Sequence, residues 1–384
     1  MRILGMKQAK RLIALMVTSA LFLSINYGAD AAKKSKAPAI GPTGNYIYRY
    51  SNGEQQRLDA GKKWQKKDPR KANNFDPIRV AAYKSITSLP ADPNHANIVF
   101  EDEIRASFPK EIAELVRFQS KEVAMRFSPL FDKKIKIKLI GVTEKDQDFV
   151  KNELPQIVNE NGYGGPFLLD LLKDYVSLQR FYSRGGTGGG SAGYEDDKGY
   201  AYYLAHTSTF AKTETYWPEV PPHELTHVLQ GVLTRDSGNP AREGDPRSKV
   251  AGHYIEGSAN TIGMALGFAN VGWYSDEMDK LLARDIKYFK GKVSVKSRAE
   301  AVALIKLIEA RDDETSSQLS YSAGQIVWEY FIGTYGMAKY VEFLKNMKSA
   351  ENFEANLVKT IGKDREAFYI GAADYLYKTW QRLS

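Results

Sequence analysis

Pro222-His223-Glu224-Leu225-Thr226-His227-Val228-Leu229-Gln230-Gly231 is the stretch on which the fold turns. On an α-helix, residues four apart share a face, so the imidazoles of His223 and His227 project side by side. Two neutral imidazoles at that spacing can bind one zinc ion. Glu224 is one step round the helix, close to the metal and aimed at its open position. That placement suits a base acting on a metal-activated water. Leu225, Val228 and Leu229 offer an apolar face to anchor the helix in a core. Pro221-Pro222 pre-sets the helix start, and Gly231 is expected to cap its end.

A catalytic zinc takes three protein ligands and keeps a fourth position open. The chain has no cysteine and only five histidines, His95, His206, His223, His227 and His253, so imidazole or carboxylate must complete the set. Glu256 is the leading third ligand, in the stretch His253-Tyr254-Ile255-Glu256-Gly257-Ser258-Ala259-Asn260. Ile255, Ala259, Ile262 and Leu266 continue a helical stripe behind it. Gly257, Ser258, Ala259, Gly263 and Ala265 are small enough to let a second helix come close. His253, Glu243 and Asp245 compete for the role. The last two sit in a loop broken by Pro and Gly (NPAREGDP), a poorer rigid mount.

His223-Glu224-x-x-His227 followed by Glu256-Gly257-x-Ala259 resembles the gluzincin metallopeptidases, the zincins whose third ligand is a Glu on a second helix. The resemblance implies that His223, His227 and Glu256 hold one Zn2+ and that Glu224 is the catalytic base. It implies an α+β fold: a zincin-like catalytic domain with a small twisted sheet, an edge strand over the cleft, an active-site helix and a mostly helical C-terminal lobe. The likeness spans about residues 100–384, with only the two short motifs specific. His227 and Glu256 stand further apart than in thermolysin-like enzymes, which an inserted loop at 232–250 would explain. Where those enzymes place a carboxylate that orients a ligating His, this chain has Asn260. Its carbonyl can accept an imidazole N–H more weakly, and an ordinary helix-surface Asn is the alternative. Gluzincins commonly supply an oxyanion donor, a Tyr or His, from the helical lobe. Tyr321, opening the segment Tyr321-Ser-Ala-Gly-Gln-Ile-Val-Trp-Glu-Tyr330, is the candidate, with Tyr330 and His206 weaker ones. Among 23 tyrosines, a packing role is the alternative for each. His95 reads as structural only.

The activity so implied is that of a zinc-dependent peptidase acting on a peptide or protein substrate. An endopeptidase is preferred, because no amine-anchoring motif of the gluzincin aminopeptidases is present. A non-catalytic envelope-binding protein on the same scaffold is an alternative, although the intact His223, Glu224 and His227 speak against it. A peptidoglycan amidase is another, with the same bond chemistry.

The remainder of the chain sets the context. With 384 residues and 43% hydrophobic content it can build a full core, which excludes disordered and collagen-like classes. The absence of cysteine excludes a disulfide framework, a thiol nucleophile, an iron–sulfur cluster and a lipobox anchor. Arg2, Lys7, Lys10 and Arg11 precede the apolar run Leu12 to Ile25, and Ala29-Asp30-Ala31 follows. This reads as a signal peptide over 1–31, with an uncleaved anchor as the alternative, because the run is short of the roughly 20 residues that span a bilayer. Its removal takes away four positive charges and one negative, lowering the formal charge from +8 to about +5. An exported chain without cysteine suits a bacterial periplasm or the medium, with no stable membrane insertion after cleavage.

Residues 32–95 read as a linker and a small β module, and 96–384 as the metallopeptidase domain. Tyr46 to Tyr50 alternates and Asn52-Gly53 is a hairpin turn. The basic run Lys62 to Lys71 reads as a solvated face, and no nucleic-acid-binding motif accompanies it. Helices are expected over 110–127 and Phe167 to Tyr182, and a half-buried strand over Lys134 to Ile140 with its lysines outward. The Gly-rich stretch Arg184 to Gly193 lacks the ending of a phosphate loop and reads as a flap or linker. Tyr200 to Ala205 reads as the edge strand, available for pairing with an extended peptide, with core and rim packing as the alternative for its tyrosines. Helical segments follow near 277–290, 297–311, 321–335, 337–348 and 364–382, with breaks at Gly336 and Gly362.

Overall fold

The computed structural model describes residues 46–51, 54–59, 63–157, 189–195, 200–209, 211, 218–234 and 251–384. The signal peptide expected over 1–31, the linker expected at 32–44, the helix expected over Phe167 to Tyr182, and Glu243 and Asp245 lie outside the described residues. The fold is α+β, with two small sheets and a mostly helical C-terminal part. It divides into two units, one holding Ile47–Gly53 and Asp92–Val228, the other Glu54–Ala91 and Leu229–Ser384. Among the described residues no helix is long and apolar enough to cross a membrane.

The first unit is built on strands β4 (Ile98–Ile104), β5 (Ile135–Val142), β6 (Gly189–Glu195) and β7 (Tyr200–His206) in the order β4-β5-β7-β6. β4, β5 and β7 are mutually parallel and β6 is antiparallel to β7. Helix α2 spans Lys110–Phe127, as its spacing predicts, and Ile112, Leu115, Val116, Val123 and Phe127 are all buried. The first half of β5 alternates: Ile135, Ile137 and Leu139 are buried, while Lys136 and Lys138 reach Glu101 of β4 at 3.2 and 3.3 Å. Its second half is buried on both faces. Ile140 and Val142 join Tyr202 and Leu204 against Phe149 and Val150 of a π-turn and Leu154 of the short helix α3 (Leu154–Ile157). A central parallel strand covered on both sides loses its alternation.

Two expectations are corrected here. Tyr200 to Ala205 is not an edge strand, because β7 is hydrogen-bonded to β5 on one side and to β6 on the other. Residues 189–193 of the Gly-rich stretch are not a loop; they form most of β6, the strand outside β7. Glycine has poor intrinsic strand preference, so the segment reads as a loop until cross-strand pairing with β7 is taken into account. The described part of the sheet therefore ends on β6 and β4.

Helix α4 (Val220–Thr234) begins in the first unit and runs on past Val228 into the second. Gly231 lies inside it, not at its C-cap, since helical bonding continues for three further residues.

Strands β1 (Tyr46–Ser51), β2 (Glu54–Asp59) and β3 (Trp64–Gln65) form the small sheet in that order. The second unit adds α1 (Pro77–Thr87), α5 (Tyr254–Gly267), α6 (Val271–Tyr288), α7 (Arg298–Ala310), α8 (Glu314–Tyr335), α9 (Met337–Asn346), α10 (Phe353–Ile361) and α11 (Arg365–Leu383). Gly336 and Gly362 carry φ of 89° and 67°, so both breaks rest on a backbone conformation that glycine adopts without strain. Helix α1 follows a local signal, an Asp76 cap that accepts from the Ile78 N–H with Pro77 at the first helical position. Its buried face carries Arg79, which breaks the apolar periodicity.

Candidate metal centre

The chemistry is carried on α4 and α5. At the start of α4 the His223 N–H donates to the Glu219 carbonyl at 2.8 Å, and the Thr226 hydroxyl to the Pro222 carbonyl at 2.7 Å. Leu225, Val228, Leu229, Val232 and Leu233 are buried, so the apolar face holds the helix as its pattern implies. The rings of His223 and His227 do not splay. Their Nε2 atoms approach to 3.1 Å with the rings at 84°, His223 buried and His227 half-buried.

The further half of α4 is tied to α5 by Gln230, whose amide donates to the Ile255 carbonyl at 3.0 Å and to the Ser258 hydroxyl at 2.9 Å. Glu256 stands in the first turn of α5, where a carboxylate meets the positive end of the helix dipole. His223, His227 and Glu256 form a group that can hold a metal ion. Each offers one ligand atom, and these atoms lie within 4.8 Å of one another. Two imidazoles and a carboxylate are donors that a divalent ion such as zinc accepts. Nitrogens at the usual bond length of about 2.05 Å from a tetrahedral ion stand about 3.3 Å apart, close to the observed imidazole separation.

The residue after Glu256 is a glycine at a close approach of two helices. A Cβ on Gly257 would lie 2.5 Å from the carbonyl carbon of Gly324 in α8, so the two helices touch backbone to backbone. The Thr261 hydroxyl adds bonds to the carbonyls of Gly257 and Gln325 at 2.9 and 2.8 Å. Glycine to alanine inside a helix ordinarily stabilises, by up to about 1 kcal/mol. Gly257→Ala is expected to do the reverse, costing about 1–3 kcal/mol in urea unfolding through overpacking. An unchanged or raised stability would mean that α5 and α8 are not in backbone contact.

Asn260 engages that same neighbour, its Nδ2 donating to the Tyr321 carbonyl at 3.3 Å. Tyr321 is buried on α8, with the Arg311 guanidinium 5.7 Å from its ring centre. Tyr330 packs elsewhere, its hydroxyl against Gly371 and its ring against Phe368, both on α11. Nine residues of helix separate the two tyrosines by half a turn's rotation, so they face opposite ways.

The remaining histidines lie outside this ligand group. His253 Nδ1 accepts from Trp328 Nε1–H at 3.1 Å, which places the ring proton on Nε2, 3.3 Å from the Tyr369 hydroxyl. Tyr369 in turn donates to Glu309 at 2.9 Å. Burial drives the His253 pKa down to about 3, so the ring is neutral with both nitrogens engaged. It is thereby removed from the competition for third ligand. His206 ends β7, and burial lowers its pKa to about 4. It touches Gly189, whereas Glu224 touches Gly190. Adjacent strand residues face opposite sides of a sheet, so His206 lies on the face away from Glu224 and is not its partner. His95 Nδ1 bonds the Ile98 carbonyl at 2.8 Å in the turn before β4.

Reading the residue types alone missed Gly190 and Gly324, the two glycines against which Glu224 and Gly257 lie. A glycine inside a strand or helix was the available signal, but its contact partner is not written in its neighbours. No protein-family model matches the chain, and neither does a curated protein or a solved structure.

Proposed function

We propose that the chain is an exported zinc-dependent peptidase on a zincin scaffold of the gluzincin kind, an endopeptidase of the periplasm or medium. The observation that carries this reading is the grouping of one nitrogen from each of two imidazoles and one carboxylate oxygen within 4.8 Å of one another, with Glu224 on the same helix as the imidazoles. Two imidazoles and a carboxylate are the ligand set of hydrolytic zinc, and this combination leaves a coordination position open.

In this reading His223, His227 and Glu256 hold the ion. When bound, it supplies Lewis-acid polarisation of the scissile carbonyl and a lowered pKa for the attacking water. Glu224 takes the proton from that water and returns it to the leaving amine. The residue is 8% exposed, so the proton passes in a site largely screened from bulk solvent. Tyr321 is the proposed oxyanion donor, held in register with α5 through the Asn260 bond to its carbonyl.

Metal content and peptide hydrolysis test the reading together. The purified mature protein is expected to carry about one zinc per chain, in keeping with a single three-ligand site. It is expected to cleave members of a quenched fluorescent peptide library, and to stop when phenanthroline strips the metal. Glu256→Ala should weaken zinc affinity by more than about 100-fold, beyond the loss usual for an outer-shell partner. A wild-type protein that carries no metal, or hydrolysis indifferent to the chelator, overturns the proposal.

A further inference from the structure

We propose that Gly190 is a positioning residue for Glu224. The missing side chain at this one strand position makes the slot in which the catalytic carboxylate lies. The inference rests on the reading of Glu224 as the base.

β6 pairs with β7 in a register that sets Gly190 opposite Ala205 and Gly189 opposite His206. The strand's alternation then sorts its glycines by face. Cβ atoms built on Gly189 and Gly193 would meet His206 and Tyr202 on one face, while a Cβ on Gly190 points to the other, toward α4. There it would sit 2.6 Å from Glu224 Cγ and 3.0 Å from both Cδ and Oε1. A methyl group at 190 and the Glu224 side chain in its present place exclude each other. Position 190 of β6 thus faces the Glu224 side chain from Cγ to Oε1, and Glu224 is buried.

Glycine inside a strand ordinarily weakens it relative to alanine, and it often marks a close approach of another group. Here the approaching group is the proposed base. An alanine at 190 meets atoms of a side chain rather than of a backbone. Rotation of Glu224 about its own torsions relieves the clash, at modest cost to the fold. The same rotation carries the carboxylate out of line with the attacking water. Misplacement by about 1 Å costs on the order of 100-fold in rate.

The test combines kinetics with a double-mutant cycle. Gly190→Ala is assayed on the library peptide that the wild type cleaves best, with zinc content and thermal unfolding measured on the same preparation. The expected result is a kcat lower by about 100-fold, KM within about threefold of wild type, and full zinc content. In the cycle, Gly190→Ala is introduced with and without Glu224→Ala, which deletes the clashing Cγ, Cδ and Oε atoms. The destabilisation expected in the wild-type background should vanish or reverse in the Glu224→Ala background, a coupling that distant, independent residues do not display. Should Gly190→Ala alone not fold, the double variant is still expected to fold.

Wild-type kcat in Gly190→Ala overturns the proposal. So does an equal stability effect in both backgrounds, a double variant that fails to fold, or loss of zinc in step with activity. The cycle needs no substrate, so it stands apart from the peptidase reading. That reading fails separately if Glu224→Gln retains full activity.

Discussion

Glu224→Gln protein is expected to bind zinc as well as the wild type and to hydrolyse peptides about 10³–10⁴-fold more slowly, the upper range for loss of a general base. The substitution preserves shape, so the amide fits under Gly190 where the carboxylate did. Glu224 is outside the ligand group formed by His223, His227 and Glu256, so metal affinity has no reason to fall. An amide cannot accept and return a proton at neutral pH, and the loss should appear in kcat with little change in KM. Stoichiometric zinc measured beside the rate separates this outcome from a collapsed site. A Glu224→Gln enzyme that keeps more than about a tenth of wild-type kcat would remove Glu224 from the mechanism.

The largest stability effect is expected at Arg79. Its guanidinium is buried among Asp279 at 2.6 Å, Glu329 at 2.9 and 3.0 Å and the Ser275 hydroxyl at 3.0 Å. Glu329 is fully buried and also accepts from the hydroxyls of Tyr274 and Tyr375 at 2.8 and 2.7 Å. Asp279 also accepts from Arg382 at 2.8 Å. Two cations thus balance two anions in the helical unit, Arg79 buried and Arg382 half-exposed at the edge of the cluster. Burial works against ionisation of Asp279, yet the Arg79 and Arg382 guanidiniums hold its carboxyl below the usual range. Arg79→Ala leaves one buried negative charge uncompensated, which costs about 3–5 kcal/mol. The contrast is Arg117 on α2, paired with Asp102 where both side chains are more than two-fifths exposed. Arg117→Ala should cost no more than about 1 kcal/mol. Urea unfolding of the two variants checks the order, and equal effects would show that the Arg79 cluster does not hold α1 in place.

That cluster also explains why residues 54–91 belong with the C-terminal helices. Arg79 of α1 reaches α6 and α8, and Arg57 of β2 pairs with Asp276 of α6 at 2.7 Å. The basic run at Lys62 to Lys71 reads as solvated, and for most of its lysines the exposure agrees. Arg70 within it is different: it is bonded to Asp68 and to Asp276 at 2.7 Å. Charged residues buried in pairs imitate a surface in any reading based on hydrophobic periodicity. For this reason α1 and the packing of 54–91 were not legible, whereas α2, with its apolar stripe, was.

Local geometry is what the amino-acid order determines alone. His223 and His227 converge because 3.6 residues per turn bring positions four apart onto one face, whatever lies around them. The breaks at Gly336 and Gly362 are of the same kind, since glycine tolerates positive φ wherever it stands. Only the tertiary structure brought Glu256 within reach of the imidazoles and engaged His253 with Trp328 and Tyr369, all remote in the chain from what they meet. Tertiary pairing likewise put β6 outside β7 and brought Gly190 onto Glu224. Contacts between segments far apart in the chain depend on how whole faces pack, and no periodicity within one segment records what it will be packed against.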